Sequence, residues 1–495
     1  MRTHTVVRIA RGLLLAVAAV VVPAVAGAQL ISIRTVPVAA GDQFMIYPSQ
    51  KLAMGGVSIA LDDPLADPFV HPAKGMRLTG SRIFGSPTYY TISDNDGSGR
   101  TLPLGGMFTG GSWFGGLALS LQQIESADPD GVFFVPQTGS WSQQPLSAQT
   151  ANNTYVWAMA GRQITDDVAV AGSFQYADLN AVDGVDLLYA LSQNIDQFGH
   201  MADMRAGVFS ESDDGRTAEL LIVHNRFDVQ HDVTYLDWFF DPATNSSGMR
   251  TRLEQNQDRT NTWGMHLGYD QPLQQSGWRV GGILTANWKS HPKIPNYEIM
   301  NIPRDPGNSW AYNFGVGVSK TEGPATFGID LIYEPIWSNT WAEADSAIAL
   351  PGGGTLARGA KTVENDFRFS NALVRMGVGR ETERWGLQLG LQVRSISYDL
   401  DQFNAVQVSR REQHESWMEW TPSWGASLGF PEFEVRYLGR MTTGTGRPSV
   451  AWSGARTEAL DMAVASNFIV APSAPLTLQD AQVMTHQISI SLPIR

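Results

Sequence analysis

The sequence predicts an all-β protein, a transmembrane antiparallel β-barrel of about 14–16 strands. Three observations carry this. Apolar residues alternate with small or polar ones along most of the chain. After residue 28 no apolar run is long enough to cross a bilayer as a helix, which takes about 20 residues. Short polar turns alternate with long stretches rich in Asn, Asp, Pro and Gly. Only helices and closed barrels satisfy their backbone hydrogen bonds in lipid, so a membrane chain without helices must close a barrel.

The amino terminus reads as an export signal. Arg2, Arg8 and Arg11 precede the apolar run Gly12–Val22, Pro23 breaks it, and Ala26-Gly27-Ala28 has the small-x-small form of a cleavage site. Residues 1–28 are therefore expected to be removed, leaving a mature chain from Gln29. The next most apolar stretch, Met462–Leu476, is interrupted by Ser466, Asn467, Pro472 and Pro475. The formal charge of the whole chain is −13. Without the three signal arginines it is 32 basic minus 48 acidic residues, or −16. Phosphate backbones would be repelled by such a surface, so nucleic acid is excluded as a partner. There is no cysteine, hence no disulfide, thiolate metal site or lipid-anchored amino-terminal Cys.

The strands follow from period two. Trp385, Leu387, Leu389, Leu391 and Val393 share one face, and Gly386, Gln388, Gly390, Gln392 and Arg394 the other. Tyr312, Phe314, Val316 and Val318 alternate with Asn313, Gly315, Gly317 and Ser319. Similar runs surround Trp113–Gln122, Val168–Tyr176 and Trp263–Asp270. Around Ser370-Asn371 the phase slips by one residue, as a bulge would cause. Tight turns are expected near Gly110-Gly111, Thr165–Asp167, Asp213–Gly215, Gln274–Gly277, Thr321–Pro324, Glu381–Arg384 and Phe430–Glu432. These join about 14 strands in pairs, and further strands near Met76–Thr91 and Thr485–Leu492 bring the total to about 16. Gln230–Arg259 and Thr442–Val483 read as long loops able to bind other proteins.

A soluble sandwich would alternate too. Two features favour the barrel. Aromatics recur at the ends of the apolar face, as Trp113, Trp263, Trp278 with Trp288, Trp385, and Trp424 with Phe430, the level at which lipid interfaces hold Trp and Tyr. The wet face is mostly Gly, Ser, Gln and Asn, with His266, Arg279, Asp330, Glu334, Arg375, Arg394, Arg436 and Arg440 as candidate lumen residues. At the carboxyl end Ile488, Ile490, Leu492 and Ile494 share one face, without the terminal Phe of many bacterial barrels.

Residues 29–74 do not alternate well. They contain Ala53-Met54-Gly55-Gly56, then Asp62-Asp63-Pro64, then His71-Pro72-Ala73-Lys74-Gly75. Over about Lys51–Gly75 this resembles the amino-terminal box of the outer-membrane long-chain fatty-acid and hydrocarbon transporter family (FadL type), of Gram-negative bacteria. His71 stands where that family has Asn, and Lys74 delays the following Gly. The resemblance implies that 29–74 is a plug, or hatch, inside a barrel formed by 75–495. Ala53, Met54, Gly55, Gly56, Asp62, Asp63, Pro64, Pro72 and Ala73 are then its structural motif. The residues are compatible: Gly55-Gly56 lets backbone pass close to a wall, and prolines 64, 68 and 72 oppose regular structure. The Asp residues are expected to meet luminal arginines.

No enzyme, cofactor or metal is expected. Gly425-Ala-Ser427-Leu-Gly429 matches the nucleophile-elbow pattern, but Trp424, Ala426, Leu428 and Phe430 continue a strand through it. Asp94–Gly99 lacks the closing Glu of a calcium loop, and the nine histidines show no i, i+4 pair. The leading functional expectation is a plugged barrel in outer-membrane lipid that passively admits small hydrophobic compounds such as fatty acids. The alternatives are a general porin, motivated by the luminal arginines, and a structural or secretion-accessory barrel.

Overall fold

The computed structural model describes residues 30–41, 46–125, 132–135, 140–143, 150–183, 192–241, 244–273, 276–291, 307–344, 346–448, 476 and 478–494. The expected signal, the middle of the 442–483 segment and part of the 274–277 turn lie outside them, while the described ends of that expected loop, 442–448 and 478–483, are paired strand.

Sixteen strands close one antiparallel sheet. They are β1 (residues 82–92, in two stretches, Arg82–Gly85 and Thr88–Ile92), β2 (Ser98–Gly110), β3 (Trp113–Glu125) and β4 (Thr150–Thr165). Next come β5 (Val168–Leu179), β6 (Ser192–Glu211), β7 (Thr217–Asp241) and β8 (Ser246–Pro272). Then follow β9 (Trp278–His291), β10 (Gly307–Glu322), β11 (Ala325–Glu343) and β12 (Lys361–Glu381). The last are β13 (Trp385–Asn404), β14 (Ser409–Gly429), β15 (Glu434–Pro448) and β16 (Leu478–Pro493). Each strand pairs with its sequence neighbours, and β16 closes the ring on both stretches of β1. The interruption of β1 is local. Pro87 has no N–H to give, yet the register against β2 and β16 is the same on both sides of it. Chain entry and exit meet at one rim, where Ile494 N–H donates to Ser81 O at 2.8 Å. This is the rim of the tight turns, as an even strand count requires.

The expected lipid face is the outer face. Leu387, Leu389, Val316, Leu117 and Leu119 are exposed, as are Ile488, Ile490, Leu492 and Ile494. Trp278 and Trp288 both face outward on β9, ten residues apart. At ~3.3 Å per residue and a tilt of about 40° they stand roughly 25 Å apart across the membrane, the height of a barrel's apolar band. Across the hydrogen-bonding direction Trp263, Trp288, Trp310 and Trp337 are successive register partners on β8–β11.

Three expectations need correction. The first strand begins at Arg82 rather than near Met76, because Pro72–Arg77 is a 3-10 helix and Leu78–Ser81 only leads into the sheet. Gln230–Arg259 is not a loop but the top of the β7–β8 hairpin, paired residue by residue up to Asp241 and Ser246. Its luminal Val233 and Tyr235 give it the interior packing that a solvated loop lacks. There is also no bulge at Ser370-Asn371, where pairing with β11 and β13 keeps its register. What inverts there is polarity. Phe367 and Phe369 are buried on the luminal face while Arg368 and Ser370 face out. The strand has left the bilayer, so its outer face turns polar, while its inner face turns apolar where it packs on Ile31 and Ile33.

Candidate functional site: the lumen and the segment inside it

The chain before β1 lies inside the barrel. Its first part crosses the half nearer the long connections. Ile31 N–H donates to the Asn287 side chain at 2.7 Å, and Arg34 pairs with Glu419 at 2.6 Å. Ile31 and Ile33 pack among Ile336, Phe367, Phe369, Ile396 and Tyr398, whose hydroxyl donates to Thr35 O at 2.9 Å. Val36, Val38 and Ala39 pack against Tyr90, Ile92, Ala481 and Val483.

Residues 46–81 fill the half nearer the tight turns. Two short 3-10 helices, Leu52–Met54 and Pro72–Arg77, flank one helical turn, Asp67–Val70. That turn starts with Pro68 near its amino end and stops at His71, held extended by the following proline. Asp63 organises the segment from within. Its carboxylate accepts from the Ser49 hydroxyl and the N–H groups of Gln50, Lys51, Leu65 and Ala66, all within 3.2 Å. Pro64 follows at the turn this carboxylate caps.

Ala53 to Leu61 rides on a track of luminal glycines. Gly55 and Gly56 have φ of 70° and 74°, which glycine alone adopts freely, and a Cβ on Gly55 would lie 2.6 Å from Met376 O. On the wall, a Cβ on Gly377 or Gly390 would strike the backbone of Met54-Gly55, on Gly425 the Ala53 side chain, and on Gly328 Val57. At Gly281 and Gly317 it would meet Ile59 at 2.7 and 2.6 Å. Asp330 accepts from Ser58 and Ile59 N–H at 2.8 and 3.3 Å, and the Ser319 hydroxyl donates to Ala60 O at 2.5 Å.

From Asp62 onward the attachment is ionic. Arg77 pairs with Asp62 within the segment and with Glu211 of β6, at 2.5 and 2.8 Å. Lys74 meets Glu219 of β7 at 2.8 Å, and His266 of β8 meets the other oxygen of that carboxylate at 2.6 Å. His71 sits above Gly207, its Nε2 donating to Leu220 O at 3.2 Å, its ring 6.2 Å from that of His266. Its Nδ1 is buried and has no hydrogen-bond partner among the described residues. Pro72 and Ala73 are buried beside it. Burial pulls the His71 pKa down to about 3, so the ring is neutral. Burial raises the Asp67 carboxyl to about 7, opposed by Lys74. Burial works against the Lys74 ammonium too, but Glu219 and Asp67 hold its pKa above the ordinary value.

All eight predicted lumen residues lie on the luminal face, yet most are engaged rather than lining open water. His266 holds Glu219, Arg279 pairs with Asp270, Arg394 with Glu334 at 2.9 Å, and Arg436 with Glu381 at 2.6 Å. Asp330 holds the inner segment, Arg375 reaches Ser58 at 3.3 Å, and Arg440 stands opposite Ser423 and Thr485. Among the described residues the expected meeting of the segment's Asp residues with luminal arginines does not occur; Asp62 pairs with Arg77 of the segment itself. The roles are reversed: the segment supplies Arg34, Lys51, Lys74 and Arg77, and the wall supplies Glu419, Glu381, Glu219 and Glu211. Sequence reading missed these wall carboxylates. It also took the glycines for small pore residues, although their recurrence on the wet face of successive strands was the signal of a seat.

Ser427 lies within the continuous strand β14, its hydroxyl directed at Glu381 at 3.5 Å, so no elbow forms. Asp94 belongs to the short turn Ser93–Asn95. No group of three metal-ligating side chains occurs among the described residues.

No protein-family model and no curated protein matches the chain. Among solved structures it is similar to a Pseudomonas aeruginosa FadL homologue, at 10% identity and a TM-score of 0.44, over 92% of this chain and 100% of that one. It is also similar to the Pseudomonas putida toluene transporter TodX, at 10% identity and TM-score 0.39, over 90% and 97% of the two chains. The copper transporter OprC scores 0.36 at 9% identity, over 84% and 81%.

Proposed function

We propose that this protein is an outer-membrane barrel closed by an amino-terminal plug that passively admits small hydrophobic compounds, fatty acids among them. Residues 1–28 direct export and are removed, residues 29–74 carry the plug, and the barrel follows. The observation that supports this best is the change of polarity along the inner wall. Beyond the bilayer band the luminal face becomes apolar and aromatic, with Phe367, Phe369, Ile396, Tyr398 and Leu400 on one side and Tyr155, Phe227, Val229 and Val233 on another. A general porin keeps its lumen polar and wet. Here the luminal arginines that motivated a porin are largely taken up by carboxylates and by the plug.

The test is uptake into proteoliposomes of oleate, read by an entrapped fatty-acid sensor, beside osmotic swelling in glucose. Wild-type protein is expected to pass oleate and exclude glucose. Phe367→Asn with Phe369→Asn should lower oleate entry about tenfold, because the two amides replace apolar wall area that an acyl chain would cover once Ile31 and Ile33, which occupy it in the closed barrel, move aside. A wild-type barrel that passes glucose as readily as oleate would establish the porin instead.

A further inference from the structure

The lipid-facing wall carries a groove where the rest of that surface is studded with large side chains. Its volume is ≈ 590 Å³, and it spans β4 to β7 near the tight-turn rim. Ala160, Gly172 and Ala206 form its floor, register partners on three adjacent strands, all exposed on the outer face. Trp113, Ile164 and Ile222 stand up around it, each 47% or more exposed.

One cation stands at this groove. Arg162 is exposed, and its guanidinium lies 5.3 Å from the centre of the Trp113 ring. Its register partners are Trp113 and Val170, both facing lipid, and Ile164 faces lipid one step nearer the turn. The charge therefore sits at the interfacial edge of the apolar band, level with Trp113. No ion pair or hydrogen bond to its side chain occurs among the described residues. A guanidinium at this level, without a protein partner, is placed to meet an anion of the interface. In a bilayer the anion at the interface is a lipid phosphate, and the material that fills an apolar groove is an acyl chain.

We propose that this groove holds one phospholipid of the leaflet on the tight-turn side, an acyl chain lying across Ala160, Gly172 and Ala206 and the phosphate on Arg162. The molecule contains its own control. Arg380 stacks on Trp385 at 5.7 Å, but its lipid-facing neighbours Val378 and Leu387 are large, leaving an arginine and a tryptophan without a floor of small residues.

The experiment is native mass spectrometry of the full mature protein, delipidated in mild detergent and titrated with palmitoyl-oleoyl-phosphatidylglycerol. Wild type and Arg380→Gln should each retain one lipid. Arg162→Gln should bind about tenfold more weakly, the loss of charge-assisted hydrogen bonds to the phosphate. Ala160→Leu with Ala206→Leu keeps the charge and fills the floor, and should lose the lipid as well. Heat-modified mobility on a gel verifies that each variant is a folded barrel. Equal losses from Arg162→Gln and Arg380→Gln would reduce the effect to general rim electrostatics and overturn the proposal. Retention by the filled-groove variant would overturn it too, as would a wild-type dimer that the filling separates, since the groove would then seat a second copy.

Discussion

The two halves of the plug are held by different physics. From Ala53 to Leu61 the attachment is one of shape, with backbone against luminal glycines and few charges involved. From Asp62 onward it is one of charge, with Lys74 and the adjoining Arg77 seated on Glu219 and Glu211. A fit of shapes is indifferent to pH and salt and fails only when something fills the space. A buried ionic pair is sensitive to its partners, because removing one leaves the other uncompensated. The luminal segment thus has a shape-fitted side on β9–β14 and a charge-held side on β6–β8.

The largest effect should come from removing both halves together. A mature chain lacking 29–74 is expected to form a steadily open channel in planar bilayers, where the full mature chain is closed. An intact chain already open to salt would end the comparison, since there would be no plug to hold.

Next is the charged side. Glu219→Gln strands the buried Lys74 ammonium, at a cost of about 3–5 kcal/mol to that attachment. Bursts of conductance should appear while barrel stability, read by heat-modified mobility, stays near wild type. Silence from this variant would show that shape alone holds the plug.

On the shape-fitted side, Gly390→Leu pushes a side chain into the Met54-Gly55 backbone, an overpacking cost of about 1–3 kcal/mol or more. Its leak should be the same at low and high salt, whereas that of Glu219→Gln should change with ionic strength. Identical salt responses would erase the distinction between the halves.

The smallest effect concerns pH and sharpens the contrast. His71, faced by Glu219, Lys74 and His266, has its folded pKa lowered to about 3 from an ordinary 6.5. Its contribution is therefore present above pH 6.5 and lost as pH falls toward 3. Asp67, faced by Lys74, Asp63 and Asp62, runs the other way: its carboxyl is raised to about 7, so stability is lost as pH rises from about 4 to 7. His71→Asn, which restores the residue of the resembled family, should move the onset of acid-induced leak down by about one pH unit. An unchanged acid profile would place the acid response elsewhere.

Much of this was legible in the residues. Period two, the tight turns and the paired aromatics at strand ends gave the barrel, its lipid face and its rim, because a strand's exposure pattern is written locally. The Ala53–Gly56 and Asp62–Pro64 motifs lie in the inner segment, and Gly55 is a point of close backbone approach to the wall. Strand boundaries near Met76 and Gln230 were not legible. A short 3-10 helix and a hairpin standing beyond the membrane have no alternation that distinguishes them from strand start and loop.

The sequence by itself determined the class of fold, the even-stranded topology and which face of each strand meets lipid. Only the tertiary structure decided what the inner face is for. Alternation says that Gly377, Gly390 and Phe367 point inward, but their meaning depends on what lies opposite, and the residues opposite come from some three hundred positions earlier in the chain. The same holds for Glu219, an ordinary luminal carboxylate until closure of the ring brings Lys74 and His266 to its two oxygens.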